Sequence, residues 1–228
     1  RAAEIEVDGV KRPTTNSKGQ PIHPTEEGLR NFWRWFGDSV FTDNEGRPSV
    51  LYHSSLADTR QFKKHGGFMG YTGVSGISVT DNPEMAGRYL DRYGSIDWQQ
   101  KPFQKNVMAV YVKAEKPLYR QEPFKTNLML GAPLPEGYVS EVERMGYDAL
   151  VRRDAISRKG AVKHSDAKNA IRGNEIVVFK PEQIKSAIGN TGAFDPANPD
   201  ILKQGPRGAF TPATWNIALL KDADLSTF

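Results

Sequence analysis

The sequence contains no cysteine, and this absence removes several classes of site at once. A chain without thiols has no disulfide framework, no thiolate nucleophile, and no zinc or iron–sulfur centre held by cysteine. Uncharged apolar runs of about 18 residues are also missing, so the sequence predicts no membrane-spanning helix. The motifs of the P-loop, G-x-G-x-x-G, H-E-x-x-H and G-x-S-x-G do not occur. The corresponding nucleotide-binding, zinc-protease and serine-hydrolase classes are therefore poorly supported.

Histidine is scarce as well. The chain has four histidines, at positions His23, His53, His65 and His164. Their separations do not match the spacing of metal-binding pairs. We therefore predict no metal site.

Positive charge is concentrated in one segment. The chain has 31 Lys and Arg against 27 Asp and Glu, a net charge of +4. Residues 152–172 hold seven of the bases and two of the acids, a balance of +5, so the rest of the chain sums to −1. Such a segment is typical of a solvent-exposed loop or of a surface that binds an anion.

Composition and turn-forming residues suggest three parts. With 38% hydrophobic residues, the chain has the material for a core. Residues 9–24 are rich in Pro, Gly, Ser, Thr and Asn, so we expect residues 1–24 to form an extended arm or linker. We assign residues 25–205 to one domain and residues 206–228 to a segment that connects it to a further domain.

An amphipathic helix is predicted at the start of this domain. Thr25 is a typical N-cap, followed by two glutamates that suit a first turn. Apolar residues then recur at helical spacing: Leu29, Phe32, Trp33 and Phe36. Gly37 marks the end of the helix, and core packing is the plainest interpretation of the aromatic stripe.

Short strands and short helices alternate along the rest of the chain. Strands are predicted at 49–53, 77–80, 106–113, 147–152 and 174–179. Further helices are predicted to begin at Pro83 and to span 136–145. Because these elements do not form regular βαβ units, the pattern favours an α+β fold with antiparallel sheets.

Several polar residues stand where chemistry is plausible. His53 ends an apolar strand, Ser78 lies within a strand after the glycine-rich loop 66–76, and Tyr89 lies on the helix that follows. Glu175 opens the most hydrophobic strand, where a carboxylate is costly unless it is exposed at a cleft. Taken singly, each also has a structural interpretation, as a strand-end histidine, a core tyrosine or a strand-edge glutamate.

The order of these segments resembles a known superfamily. The match is carried by residues 35–55, 75–90, 107–119, 146–154 and 174–201. They include the strands around His53 and Glu175, the segment SVTDNPEMA and the pattern K-S-A-x-G-N-x-G-x-F-D-P. The sequence resembles the ADP-ribosyltransferases of the His-Tyr-Glu branch, which includes diphtheria toxin and the poly(ADP-ribose) polymerases. It resembles most closely the ADP-ribosyltransferase domains of phage polyvalent proteins.

The resemblance implies a split antiparallel β-sandwich with short helices and an N-terminal amphipathic helix. It also implies that NAD is the co-substrate and that Glu175 is the catalytic glutamate. Gly173 lies two residues upstream of it, so the E-x-E pair of arginine-modifying toxins is absent, which argues against arginine as the acceptor.

The other site residues follow from the same resemblance. His53 matches the histidine that bonds a ribose hydroxyl of NAD. Ser54 stands where the family usually has a glycine whose backbone holds the nicotinamide amide, and Ser78 stands where it usually has a tyrosine. Tyr89 matches the tyrosine that stacks on the nicotinamide, and Tyr71 in the glycine-rich loop is a candidate for the second ring. We therefore expect Glu175, His53 and Ser78 to be catalytic, and His53, Ser54, Tyr71, Ser78 and Tyr89 to bind NAD.

The resulting hypothesis is an NAD-dependent mono-ADP-ribosyltransferase. Its acceptor is expected to be a host protein or nucleic acid. The basic segment 152–172 is expected to contact this acceptor or, as an alternative, the NAD pyrophosphate. We expect a phage-encoded effector or toxin that acts in the cytoplasm of a bacterial host, with delivery from a phage particle as one route.

Two other functions remain open. One is a small basic RNase-type toxin, in which His53, His65 or His164 serve as acid and base beside Glu175. The other is a non-catalytic structural module of a phage polyvalent protein, for which the serine at position 78 would signal a decayed site.

Overall fold

The computed structural model describes residues 3–55, 59–62, 76–91, 106–121, 137–157 and 171–202. The strands are β1 (Glu4–Val7), β2 (Val10–Pro13), β3 (Leu51–Ser55), β4 (Ile77–Thr80), β5 (Asn106–Val112), β6 (Pro117–Gln121), β7 (Ala149–Ser157), β8 (Ile171–Val178) and β9 (Ile184–Ser186). The α-helices are α1 (Glu26–Phe36), α2 (Pro83–Asp91) and α3 (Tyr138–Arg144), and Pro181–Gln183 form a turn of 3₁₀ helix. The predicted helices and strands are confirmed, with ends that differ by a few residues.

One seven-stranded sheet dominates the molecule, in the order β6-β7-β8-β4-β3-β5-β9. Its neighbours are antiparallel except for β6 and β7, which pair in parallel. A parallel pair needs a long crossover, and α3 lies in the connection between these two strands. The α+β prediction is confirmed, and this one pair departs from the antiparallel pattern.

The sheet is weakly joined at its centre. Strands β3 and β4 are in register at a single pair, Tyr52 with Thr80. By contrast, five pairs join β3 to β5 and four join β4 to β8. We call the β3–β4 junction the seam. It divides the sheet into β6-β7-β8-β4 and β3-β5-β9, as expected for a split sheet.

Helix α1 forms as its sequence predicts. The Thr25 hydroxyl accepts a hydrogen bond from the Gly28 N–H, and the helix ends at Gly37 with a φ of 59°. It buries four aromatic side chains, Phe32, Trp33, Trp35 and Phe36. Phe32 packs edge-on against Tyr111 of β5 and against Phe194, so the helix covers the β3-β5-β9 half of the sheet.

Residues near the N-terminus are part of the packed unit, in contrast to the extended arm that the sequence suggested for residues 1–24. Strands β1 and β2 form a hairpin, and Val7 and Ile22 are buried in the cluster under α1. Asn16 is 1% exposed, donates to the Tyr111 hydroxyl at 3.0 Å, and accepts from two backbone N–H groups of its own loop. These buried contacts fix the segment to the sheet.

The last described residues also pack against the sheet. The buried Lys185 ammonium donates to the carbonyl oxygens of Asn198 and Asp200, at 2.5 and 3.3 Å. The Ile201 N–H donates to the Arg60 carbonyl at 2.9 Å. Residues 206–228, expected as a connecting segment, lie outside the described residues. No helix within the described ranges is long and apolar enough to cross a membrane.

Candidate active site

Three of the predicted site residues lie on adjacent strands at the seam. His53 is on β3, Ser78 on β4 and Glu175 on β8, and these strands are neighbours in the sheet. The structure therefore brings together residues that are up to 122 positions apart in the sequence.

His53 is anchored by the backbone of the neighbouring strand. Its Nδ1 lies 2.7 Å from the carbonyl oxygen of Ser78. Because a carbonyl only accepts, Nδ1 carries the proton, and Nε2 of the neutral ring is an acceptor. The ring also packs edge-on against Phe62, with 4.6 Å between ring centroids. Burial lowers the pKa of His53, and the hydrogen bond to Ser78 opposes that shift only in part, so the ring favours the neutral form.

The two serines make contacts that the sequence did not suggest. The Ser54 hydroxyl donates to the Ala86 carbonyl, which ties β3 to α2. Ser78 engages His53 through its backbone carbonyl. The Ser54 contact needs a hydroxyl, which the glycine usual in the family lacks. The Ser78 contact uses only the backbone, so the tyrosine usual in the family could make it too.

Glu175 is buried, whereas the sequence suggested exposure at a cleft. Its side chain is 1% exposed and stands opposite Thr80 on β4 and Arg152 on β7. Oε2 accepts from Arg152 Nη1 at 2.7 Å, and Arg152 is also 1% exposed. A charged glutamate is tolerated in this apolar strand because a charged partner lies beside it.

The prediction for the basic segment 152–172 is wrong for Arg152, which is buried with Glu175. Arg152 was counted among the bases that contact the acceptor, but its side chain lies in the interior and is bound to Glu175. The guanidinium of Arg153 lies over the ring of Tyr119, 4.4 Å from its centroid. Residues 158–170, which hold most of the segment, lie outside the described residues.

The start of β8 is fixed to the loop before α2. Asp81 accepts from the backbone N–H of Asn174 at 2.8 Å and from its side-chain amide at 2.6 Å. Asn82 donates to the Arg172 carbonyl at 3.0 Å while it caps α2. A Cβ at Gly173 would lie 2.9 Å from Asp81 Oδ1, so a side chain at this position would require its neighbours to shift.

The alternation of side chains places the site on both faces of the sheet. Residues directly opposite each other share a face, so Glu175, Thr80 and Tyr52 point to one side. His53, one position beyond Tyr52, shares the other face with Leu51. His53 and Glu175 therefore point to opposite faces of the sheet, on the two strands that flank β4.

The two tyrosines of the predicted site are not both described. Tyr89 lies on α2, but its side chain is outside the described residues, as is the whole of Tyr71. Sequence reasoning missed Arg152 and Phe62. A basic residue within the apolar run of β7 was the available signal for Arg152, whereas Phe62 gave none. Among the described residues, no group of three His, Asp or Glu side chains is placed to hold a metal ion.

The seven-stranded sheet is split at its centre, with the His53 strand β3 in one half and the Glu175 strand β8 in the other. This arrangement defines an ADP-ribosyltransferase-like fold. The model of one family, described as ADP-ribosyltransferase in polyvalent proteins, matches residues 43–194, about two thirds of the chain. The chain belongs to this family, which confirms the resemblance seen in the sequence. No curated protein matches the chain.

Proposed function

We propose that the protein is an NAD-dependent mono-ADP-ribosyltransferase. The observation that carries the proposal is the placement of His53, Ser78 and Glu175 on three adjacent strands at the seam. Membership of the family supports the same function.

The proposed reaction breaks the bond between nicotinamide and ribose C1′. The bonding electron pair leaves with nicotinamide, which departs as a neutral molecule, and positive charge develops on the ribose, as in glycoside cleavage. A lone pair of the acceptor then forms the new bond to C1′, and the acceptor releases a proton. Water in place of the acceptor gives ADP-ribose.

Glu175 is proposed to stabilise the positive ribose. A carboxylate in a desolvated site acts strongly on a nearby developing charge and can also accept from the ribose 2′-hydroxyl. Because its side chain is 1% exposed, contact with the ribose requires the seam to open as NAD enters. The single register pair between β3 and β4 makes the seam the place where the sheet opens most easily.

His53 is proposed to accept a hydrogen bond from a ribose hydroxyl of NAD. The bond from Nδ1 to the Ser78 carbonyl leaves Nε2 of the neutral ring as the acceptor. For nicotinamide, we propose the Ser54 backbone as the amide contact and Ser78 as part of the pocket. Tyr89 and Tyr71 are the proposed stacking rings.

The acceptor is proposed to be a host macromolecule other than an arginine side chain. Gly173 stands two residues before Glu175, in place of a second acidic residue, and its crowded surroundings disfavour a side chain there. The other bases of the segment 152–172 are the proposed contact for an anionic protein or nucleic acid. We propose that the domain acts as a phage effector in the bacterial cytoplasm.

The test is cleavage and transfer of NAD labelled on the adenylate. The wild-type chain, incubated with a bacterial lysate, is expected to release nicotinamide and to label a macromolecule. Glu175→Gln should reduce both to a small residual rate while NAD binding, followed by calorimetry, persists. The matched control is Glu141→Gln, which alters a glutamate paired with Arg144 on the surface of α3. Full turnover in Glu175→Gln would refute the assignment.

The burial of Glu175 favours one alternative, a non-catalytic structural module. The same assay separates the two functions, since a module of that kind neither cleaves NAD nor transfers label. RNA cleavage in the absence of NAD would instead indicate the RNase-type toxin.

A further inference from the structure

The Arg152–Glu175 pair lies deep in the sheet and at one end of a β-bulge. Arg152 Nη1 and Glu175 Oε2 are 2.7 Å apart, and both side chains are 1% exposed. Next to the pair, the β7–β8 register shifts, because three steps along β7, from Arg152 to Ala155, match two along β8, from Glu175 to Gly173. Bulges often occur beside active sites, where they redirect a side chain.

Arg152 is the charged residue directly opposite Glu175. The residue opposite on the other neighbouring strand is Thr80, which has no ionisable group and whose hydroxyl contacts Met85 Sδ. Asp81, the nearest acid along β4, binds the backbone and side chain of Asn174. Along β7 and β8, the next residues on the same face are the buried apolar Leu150 and Val177.

These surroundings determine the protonation of the glutamate. A carboxyl group this deeply buried among apolar side chains takes up a proton unless a positive charge lies beside it. A protonated carboxyl group is neutral and does not stabilise a positive ribose. The arginine keeps its charge at all relevant pH values, so it holds the carboxylate in its ionised form.

The order of the strands also decides which charge lies nearer to the substrate. Arg152 approaches from β7, and the seam lies on the other side of β8, beyond β4. Since Glu175 is on the strand nearer to the seam, we expect its charge to act on the substrate more strongly than that of Arg152 does. We infer that Arg152 is a positioning residue, which holds the Glu175 carboxylate ionised and in a fixed orientation. This inference rests on the proposed function.

The test is the rate of NAD cleavage between about pH 6 and about pH 9 in matched variants. The wild-type rate is expected to be nearly flat over this range. Arg152→Met should lower kcat about a hundredfold near neutral pH, with little change in KM for NAD, and its rate should rise with pH as Glu175 loses its proton. Arg152→Lys should keep the flat profile at a reduced rate.

The matched control is Arg144→Met, which breaks an exposed pair with Glu141 that has the same chemistry at 2.6 Å. It should follow the wild type at every pH. A role for Arg152 in stability alone would lower the rate of Arg152→Met in parallel at all pH values, and that result would overturn the inference. So would a rising profile in Arg152→Lys.

A double variant covers the case in which Arg152→Met does not fold. Arg152→Met combined with Glu175→Gln leaves no charge at the pair, and its residual NAD cleavage should equal that of Glu175→Gln alone. A further loss in the double variant would show that Arg152 acts other than through Glu175. Absence of NAD cleavage in the wild type would refute the proposed function and the inference together, whereas an active wild type with parallel profiles refutes the inference alone.

Discussion

Replacing Glu175 with alanine is expected to destabilise the fold strongly. The substitution removes the carboxylate that lies 2.7 Å from Arg152 Nη1, in a place where both side chains are 1% exposed. The guanidinium then stays charged in the interior without this counter-ion, because arginine does not lose its proton in proteins. The loss in folding free energy is the cost of this buried charge, and it is expected whether or not the protein cleaves NAD.

The magnitude follows from this burial. Removal of one partner of a buried ion pair costs about 3–5 kcal/mol. With a denaturant slope of about 2 kcal/mol per M of urea, a loss of about 4 kcal/mol lowers the unfolding midpoint by about 2 M. Replacing both partners, as Arg152→Met with Glu175→Leu, removes both charges and keeps similar apolar volume. Such replacements are neutral or stabilising by about 1–4 kcal/mol, so the double variant should unfold at or above the wild-type midpoint.

The assay is urea unfolding followed by tryptophan fluorescence. Trp33 and Trp35 are 3% and 1% exposed and report on the core under α1. The control is Glu141→Ala, which removes the partner of Arg144 at the surface and should not move the midpoint measurably. The reasoning is refuted if Glu175→Ala unfolds with the wild type, or if the double variant is as unstable as the single one.

Two further predictions concern His53 and Gly173. Burial lowers the pKa of His53 from its ordinary value of 6.5, so at pH values between the lowered value and 6.5 the unfolded chain binds a proton that the folded chain does not. Stability therefore falls as the pH falls through this range. His53→Gln should reduce the difference between urea midpoints at about pH 7 and about pH 5, and an unchanged difference would contradict the assignment. Gly173→Ala should cost about 1–3 kcal/mol, because its Cβ would lie 2.9 Å from Asp81 Oδ1 and 3.0 Å from Met85 Sδ. Gly87→Ala on α2 is the control, because a Cβ there meets no atom within 4 Å from the described residues outside the helix backbone, and equal melting temperatures of the two alanine variants would argue against the crowding.

Helix α1 shows what the sequence predicts well. Thr25 and Gly37 bond to residues three or four positions away, so local chemistry decides where the helix begins and ends. Five of the seven strands of the sheet were predicted for the same reason, since alternation and turn residues are local signals, whereas β6 and β9 were not. The family was also identified from the sequence, because the site residues occur in the family's order along most of the chain.

The contacts that the sequence did not predict depend on register between distant strands. Arg152 and Glu175 meet because β7 and β8 pair at those two positions, and no local pattern states which residues will be opposite. The N-terminal hairpin was missed because residues 9–24 are rich in Pro, Gly, Ser, Thr and Asn, a composition typical of a linker. Asn16 looked like a loop residue, and only the fold places Tyr111 beside it.

The seam has a consequence for the mechanics of the domain. One apolar cluster runs beneath both halves of the sheet and includes Leu51 and Val110 on one side of the seam and Val79 and Ile176 on the other. This shared cluster lies on the face that carries His53, opposite Glu175, so apolar contacts join the two halves across the seam on that face. Parting the strands at the seam breaks one register pair, whereas parting β3 from β5 would break five. We therefore expect the sheet to deform by a hinge at the seam, with each half moving as a unit.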